Sequence, residues 1–223
     1  MDLLIKATAV IAPILAICIF AIPSYLGVLK QKGFLMGMLI IIILSVYAFG
    51  AYTVAVKTGL FGGDFSFNST LGYKLLNTTP WVLSFAYPPI LLVAFWLASK
   101  FTRNFFRIIL TAIFATFVNL ILDPATVKLE LWKWENPGTF YGVPPIIFAS
   151  WFVIGVVGAW LLHILWGKQL HVKSSIAYSG IVVLLFWAGV NAGVDQWIPF
   201  GAGMLGGIIL LTVLIIEKHQ LKE

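Results

Sequence analysis

The chain has 223 residues, of which 61% are hydrophobic and 10% charged, with a mean hydropathy of +1.03. Soluble domains run about 45–50% apolar and about 25% charged, so the composition excludes an ordinary soluble enzyme, a nucleic-acid module and a disordered protein. The net charge of +6 is spread thinly, with no Lys/Arg cluster denser than two residues in four, and the single cysteine, Cys18, lies in an apolar run, which excludes a disulfide framework, a zinc cluster and an iron–sulfur site.

A membrane-spanning helix needs about 20 mostly apolar residues. Seven such segments follow one another, at roughly 6–29, 34–56, 81–101, 104–123, 146–166, 174–196 and 200–216. The first is longer than a signal-peptide core. Asp2 and Lys6 are not a basic leader, and Lys30 and Lys32 follow it, so it reads as a helix of the bundle. Pro13, Pro23, Pro88 and Pro89 fall inside spans, where neighbouring helices can supply the lost hydrogen bonds. Gly201, Gly203, Gly206 and Gly207 in the seventh segment suit close helix packing. The expected fold is an all-α polytopic integral membrane bundle of about seven helices, a single domain over residues 1–223.

The bases set the expected orientation. Lys30, Lys32, Lys100, Arg103, Arg107, Lys168, Lys173, Lys218 and Lys222 fall on one side, and Lys6, Lys57, Lys74, Lys128 and Lys133 on the other. The side richer in Lys and Arg faces the cytoplasm, which places the N-terminus outside and the C-terminus inside. Asp2, Asp64, Asp123, Glu130, Glu135 and Asp195 then lie at the outer side, with Glu217 and Glu223 inside. Both long connectors, 57–80 and 124–145, are outer, and long loops in compact domains tend to carry function. Asn68-Ser69-Thr70 and Asn77-Thr78-Thr79 on that side are glycosylation-type sequons.

The two long connectors echo each other. One reads Asp64-Phe65-Ser66-Phe67-Asn68, then Gly72 and Pro80; the other reads Trp132-Lys133-Trp134-Glu135-Asn136, then Gly142 and Pro144. Aromatics at period two predict a short extended stretch, and each Pro suits a helix start. The pattern hints at an internal repeat of helices 2–3 and 4–5.

Candidate chemistry gathers on the outer side. Asn119 with Asp123, and Asn191 with Asp195, are spaced four apart at the expected outer ends of helices 4 and 6, each pair on one helix face. The negative end of a helix dipole and a low dielectric both work against ionisation there. A carboxyl that keeps its proton is a general acid. Glu130, Trp132, Trp134, Glu135, Phe140 and Tyr141 cluster in the second connector. Such rings either anchor at the headgroups or line a pocket whose ring faces hold a cation. His163, His171 and His219 have no partner at ligand spacing, so no metal is expected. A retinal pigment is rejected because the seventh segment holds no lysine, Lys218 lying beyond it.

Two stretches carry a family resemblance. Lys57-Thr58-Gly59-Leu60-Phe61-Gly62, then Leu71-Gly72-Tyr73-Lys74-Leu75-Leu76 and Pro80, form the first. Leu122-Asp123-Pro124-Ala125-Thr126-Val127-Lys128-Leu129, Trp132-Lys133-Trp134-Glu135, Tyr141-Gly142-Val143-Pro144 and Trp151-Phe152 form the second. Over roughly residues 50–155 the chain resembles the membrane carotenoid biosynthesis hydratases, which include the carotenoid 1,2-hydratases and the bisanhydrobacterioruberin hydratases. Two positions depart from that pattern. A Glu is usual shortly before the Thr-Gly, where this chain reads Ala51-Tyr52-Thr53-Val54, and an Asn is usual where it has Ile147. The heterodimer-type lycopene cyclases are distantly similar, but their Pro-Leu-Glu-Glu helix start is replaced by Pro144-Pro145-Ile146-Ile147.

The resemblance implies cofactor-free hydration of a terminal alkene on a long isoprenoid. Asp123 would protonate the alkene, oriented by Asn119. Trp132, Trp134 or Tyr141 would hold the cation, and Glu135 or Asp195 would deprotonate the attacking water. Asp64, Glu130 and Asn191 complete the candidate substrate-binding set. The implied partners are a lipid-dissolved carotenoid, membrane lipids and other carotenoid enzymes, with no nucleic acid. The alternatives are end-group cyclisation, or, in another class, a non-catalytic isoprenoid-binding subunit or small transporter.

Overall fold

The computed structural model describes residues 2–59, 64–102, 104–167 and 172–220, with side chains described at 14 and from 17 onward within those ranges. Leu60, Phe61, Gly62, Arg103, Lys168, His171, Lys222 and Glu223 of the sequence reading lie outside the described residues, as do the side chains of Asp2, Lys6 and Pro13.

Seven long helices follow in order: α1 (Asp2–Lys32), α2 (Phe34–Thr58), α3 (Trp81–Ala98), α4 (Phe106–Lys128), α5 (Ile146–Trp166), α6 (Ala177–Gly193) and α7 (Trp197–Gln220). Among the described residues, the six from α2 to α7 are long and apolar enough to cross a membrane. The fold is an all-α membrane bundle. Four helices outrun their apolar segments, because helix limits follow backbone hydrogen bonding rather than hydropathy. Two of these overruns correct the sequence reading. α4 continues through Pro124 to Lys128, so Asp123 sits more than a turn inside it. α7 continues to Gln220, so Lys218 belongs to its last turn, where Nζ meets the Tyr178 hydroxyl at 2.6 Å.

α3 forms the centre, touching α1, α2, α4, α5 and α6, with nearly all of its residues buried. Its prolines create specific needs. Pro89 has no N–H to offer the Phe85 carbonyl, and the Tyr25 hydroxyl of α1 donates to that oxygen at 2.7 Å instead. Pro124 likewise cannot bond the Leu120 carbonyl of α4, and at the next residue the Asn191 side chain of α6 donates to the Ile121 carbonyl at 2.9 Å. Prolines thus become points where helices are tied together. Close approach relies on small residues. A Cβ added at Gly155 of α5 would stand 2.9 Å from the Ala112 Cα of α4, and one at Gly203 of α7 would stand 2.8 Å from the Ala188 Cβ of α6. Gly201 is exposed with open space beside it, so it takes no part in that packing.

The bundle's two ends differ. At one, Lys100 pairs with Glu217 at 2.6 Å and lies over the Trp96 ring. Lys32 donates to the Trp166 carbonyl, and buried Arg107 meets His163 Nδ1 at 2.9 Å with its guanidinium over Phe95. At the other end, both long connectors fold onto the helices. Strand β1 (Phe65–Phe67) from the first connector pairs antiparallel with β4 (Trp132–Trp134) from the second, setting Phe65 opposite Trp134 and Phe67 opposite Trp132. The two aromatic-x-aromatic stretches are therefore extended, as their period predicts, and are hydrogen-bonded to each other. A two-residue hairpin pair, β2 (Lys74–Leu75) with β3 (Thr79–Pro80), leads into α3.

Candidate active site

Side chains two apart on a strand share a face. Phe65 and Phe67 on β1, with Trp132 and Trp134 on β4, turn toward the helices, while Ser66 and Lys133 between them are exposed. The ribbon is held down at both ends. Glu135 N–H donates to the Asp64 carbonyl at 3.0 Å, Asn68 N–H donates to the Leu131 carbonyl at 2.8 Å, and the Asn68 side chain donates to the Glu130 carbonyl. The sequon residue Asn68 is thus a strut between the two connectors. Lys74 donates to the Phe67 carbonyl at 2.6 Å.

Beneath this ribbon is a small cavity of about 40 Å³, lined by the four strand aromatics, Ala51, Tyr52 and Ala55 of α2, Asp123 of α4, and Ile147, Ser150, Trp151 and Ile154 of α5. The rings interlock at close range. Tyr52 meets Trp151 edge-on at 5.5 Å and Phe67 at 5.9 Å, Trp132 meets Phe67 at 5.9 Å, and Tyr87 lies 5.2 Å from Trp151. Asp123 is the one carboxyl group among the described lining residues, and it is 1% exposed. The Trp151 indole N–H donates to Asp123 Oδ2 at 2.9 Å. Oδ1 has no hydrogen-bond partner among the described residues, and neither has the indole N–H of Trp134 on the same wall. Ser150 Oγ donates to the Ile146 carbonyl, which leaves its oxygen lone pairs free of that bond.

A second cavity, about 410 Å³, adjoins the first and shares Tyr52 and Trp132 with it. Its walls come from α1, α3, α4 and α6. Asn119 faces this larger space, not the smaller one.

Of the sequence candidates, Asp123, Trp132 and Trp134 meet in the small cavity, and Asn119 and Trp132 line the large one. The others line neither. Asp64, Glu130 and Glu135 are exposed on the connectors. Asp195 is exposed in the α6–α7 turn, with a left-handed backbone at φ 59°. Tyr141 sits in a tight loop closed by the Gly138 N–H to Gly142 carbonyl bond. Asn191 is a tie between α6 and α4.

The expected orienting partner also changes. Asn119 donates back to the Ala115 carbonyl of its own helix, and Trp151 from α5 holds Asp123. The i, i+4 spacing placed Asn119 on Asp123's face, but α4 divides that face between two cavities. Tyr52, Tyr87, Ser150 and Trp151 were missed as site residues. Their hydroxyls and indole look like ordinary helix packing, and no local spacing links α2, α3 and α5. One signal was present: the two departures from the family pattern, Ala51-Tyr52 and Ile147, both fall on the small cavity's wall.

A family model described as carotenoid biosynthesis protein matches residues 8–210. Bisanhydrobacterioruberin hydratase from Haloarcula japonica is 30% identical over 185 residues, which covers 78% of this chain. This chain spans 63% of that relative's length. No solved structure matches. A match over nearly the whole bundle, both connectors and Asp123 included, makes this chain a member of the carotenoid biosynthesis protein family.

Proposed function

We propose that the protein is a membrane carotenoid hydratase that adds water to a terminal trisubstituted alkene of a long isoprenoid without a cofactor. The observation that carries this reading is the Asp123 carboxyl, anchored through Oδ2 by Trp151 and enclosed by aromatic rings. The Asp123 O–H proton passes to the less substituted alkene carbon, and the π pair becomes the new C–H bond. The tertiary cation left behind faces the rings of Tyr52, Trp132, Trp134 and Trp151, whose negative faces attract positive charge. A water oxygen pair then forms the C–O bond, and the oxonium proton returns to the Asp123 carboxylate. One carboxyl serves as acid and then base, so the exposed Glu135 and Asp195 are not needed in the cavity.

The cavity's size favours water over an internal alkene as the nucleophile. A water needs about 10–15 Å³ of such space and two to four polar partners. The small cavity offers about 40 Å³, with Asp123 Oδ1, the Trp134 indole N–H and Ser150 Oγ on its lining residues. The hydratase named among the relatives supports the same choice. The substrate is lipid-dissolved, other carotenoid enzymes would supply it, and the end of the bundle bearing the connectors faces outward. Reporter fusions after Lys32 and Lys173 should read cytoplasmic, and one at Asn136 external.

The test of the chemistry is Asp123→Asn in a carotenoid-producing host, with protein levels matched and pigments separated by chromatography. Asn keeps the shape and cannot give the proton, so product should fall at least about 10²–10⁴-fold, the usual weight of general acid catalysis. Undiminished product removes Asp123 from the role. A wild-type product isomeric with the substrate, lacking the added water, would identify a cyclase.

A further inference from the structure

The larger cavity has a use of its own. We infer that it holds the linear polyene chain of the substrate, which enters sideways from the bilayer between α1 and α6 while its end group reaches past Tyr52 and Trp132 to Asp123. The inference rests on the hydratase reading for the identity of the end reaction, though not for the binding itself.

Shape is the first argument. The lining residues of α4 run from Asn119 through Leu122 to Thr126, one face of the helix, with Leu129 just past its end. At about 1.5 Å per residue the helical part alone covers about 10 Å of axis, so the space is a slot along the helices. Its volume of about 410 Å³ falls in the range of genuine ligand pockets, about 300–1,000 Å³.

Chemistry is the second. The walls are Leu, Ile, Val, Ala, Pro and aromatic side chains; the polar ones are Asn119, Thr126, the tyrosines Tyr52 and Tyr87 and the indoles of Trp132 and Trp187, with no charged group described. Thr126 donates to carbonyls of its own helix, and so does Asn119. Side chains turned back on their backbone present little hydrogen-bonding capacity to a ligand. A charged ligand would lose its hydration there and meet no opposite charge among the described residues, whereas a hydrocarbon chain gains favourable burial of its methylenes.

Position is the third. Phe186 of α6 lines the slot and is 41% exposed, and its ring rests 5.0 Å from Phe20 of α1, another lining residue. That aromatic pair joins α1 to α6 in the slot's wall. At the inner limit Tyr52 and Trp132 belong to both cavities. A chain in the slot therefore points its end at the only carboxyl group described on either wall.

The experiment uses the full chain in phosphatidylcholine nanodiscs with lycopene, a linear polyene, as the probe. Saturable quenching of tryptophan fluorescence reports binding, since Trp132 and Trp187 line the slot. Ala86→Phe fills the slot from α3 and should weaken saturable quenching about tenfold or more. Asp123→Asn should bind as the wild type does. Phe186→Ala alters an exposed ring and should speed the onset of quenching several-fold.

Folded Ala86→Phe protein that binds lycopene with wild-type affinity overturns the inference. If Ala86→Phe does not fold, Phe186→Ala decides, and an unchanged onset overturns the sideways entry. Wild-type protein that binds lycopene yet returns no water adduct keeps the slot and defeats the hydratase reading. A water adduct formed without saturable binding does the reverse.

Discussion

The two adjoining cavities are both mostly apolar, yet they differ about tenfold in volume and only the smaller is lined by a carboxyl group. The small one, about 40 Å³, brings together a buried carboxyl, two indole rings from a β-ribbon and side chains of three helices. The large one, about 410 Å³, is mostly apolar, with no carboxyl group among its described lining residues and with Asn119 and Thr126 bonded back to their own helix. Polar groups inside a membrane bundle are costly and are kept where they act. Concentrating them in a space the size of a few waters confines reactivity to one point. The larger space can then be generic, because a hydrocarbon is held by area and shape alone. Tyr52 and Trp132 are the boundary, so breaking that boundary should tell the two apart.

The largest structural effect is expected from Trp132→Ala. Trp132 is buried and closes both cavities, and truncating a buried Trp costs about 3–5 kcal/mol of stability. The merged space should admit more water and relax the choice of end group. Thermal unfolding in detergent checks the first effect and product chromatography the second; an unchanged product pattern would show that the boundary does not govern selectivity.

Trp151→Phe sharpens the contrast from the other side. It keeps a ring against Tyr52 and Tyr87 but removes the N–H that holds Asp123 Oδ2. Hydrogen bonds to a charged group contribute about 1.5–3 kcal/mol, so turnover should fall about ten- to a hundredfold. Lycopene binding should stay near the wild type, because Trp151 does not line the slot. Equal loss of both would place Trp151 in general packing instead.

The smallest effect is expected from Ser150→Ala. Its hydroxyl already bonds the Ile146 carbonyl of its own helix, so folding should change by no more than about 1 kcal/mol. If its oxygen accepts from the attacking water, the rate should fall severalfold while substrate binding is unaltered. Single-turnover measurements on matched protein would separate the two, and a wild-type rate would exclude Ser150 from positioning water.

Much of the architecture was legible in the residues alone. Hydropathy located all seven helices, because a backbone in lipid must satisfy its hydrogen bonds within each segment. Period-two aromatics marked Phe65–Phe67 and Trp132–Trp134 as extended, and the motif around Asp123 and Trp134 pointed to the family. Helix ends were less legible. Hydropathy fades before hydrogen bonding does, so Asp123 was read as terminal when Pro124 and four further residues continue the helix.

What only the tertiary structure decided is which polar groups share a space. Glu135 and Asp195 lie at the same end of the bundle as Asp123, yet a strand reverses direction and a turn projects outward, leaving both in the open. Trp151, 28 residues away on another helix, reaches the carboxyl group instead. Local spacing tells which side chains share a helix face. It is silent on how helix packing divides that face, because the packing is set by small residues and by side-chain-to-carbonyl ties between neighbouring helices. Asn119 and Asp123, four residues apart, end up facing different cavities for that reason.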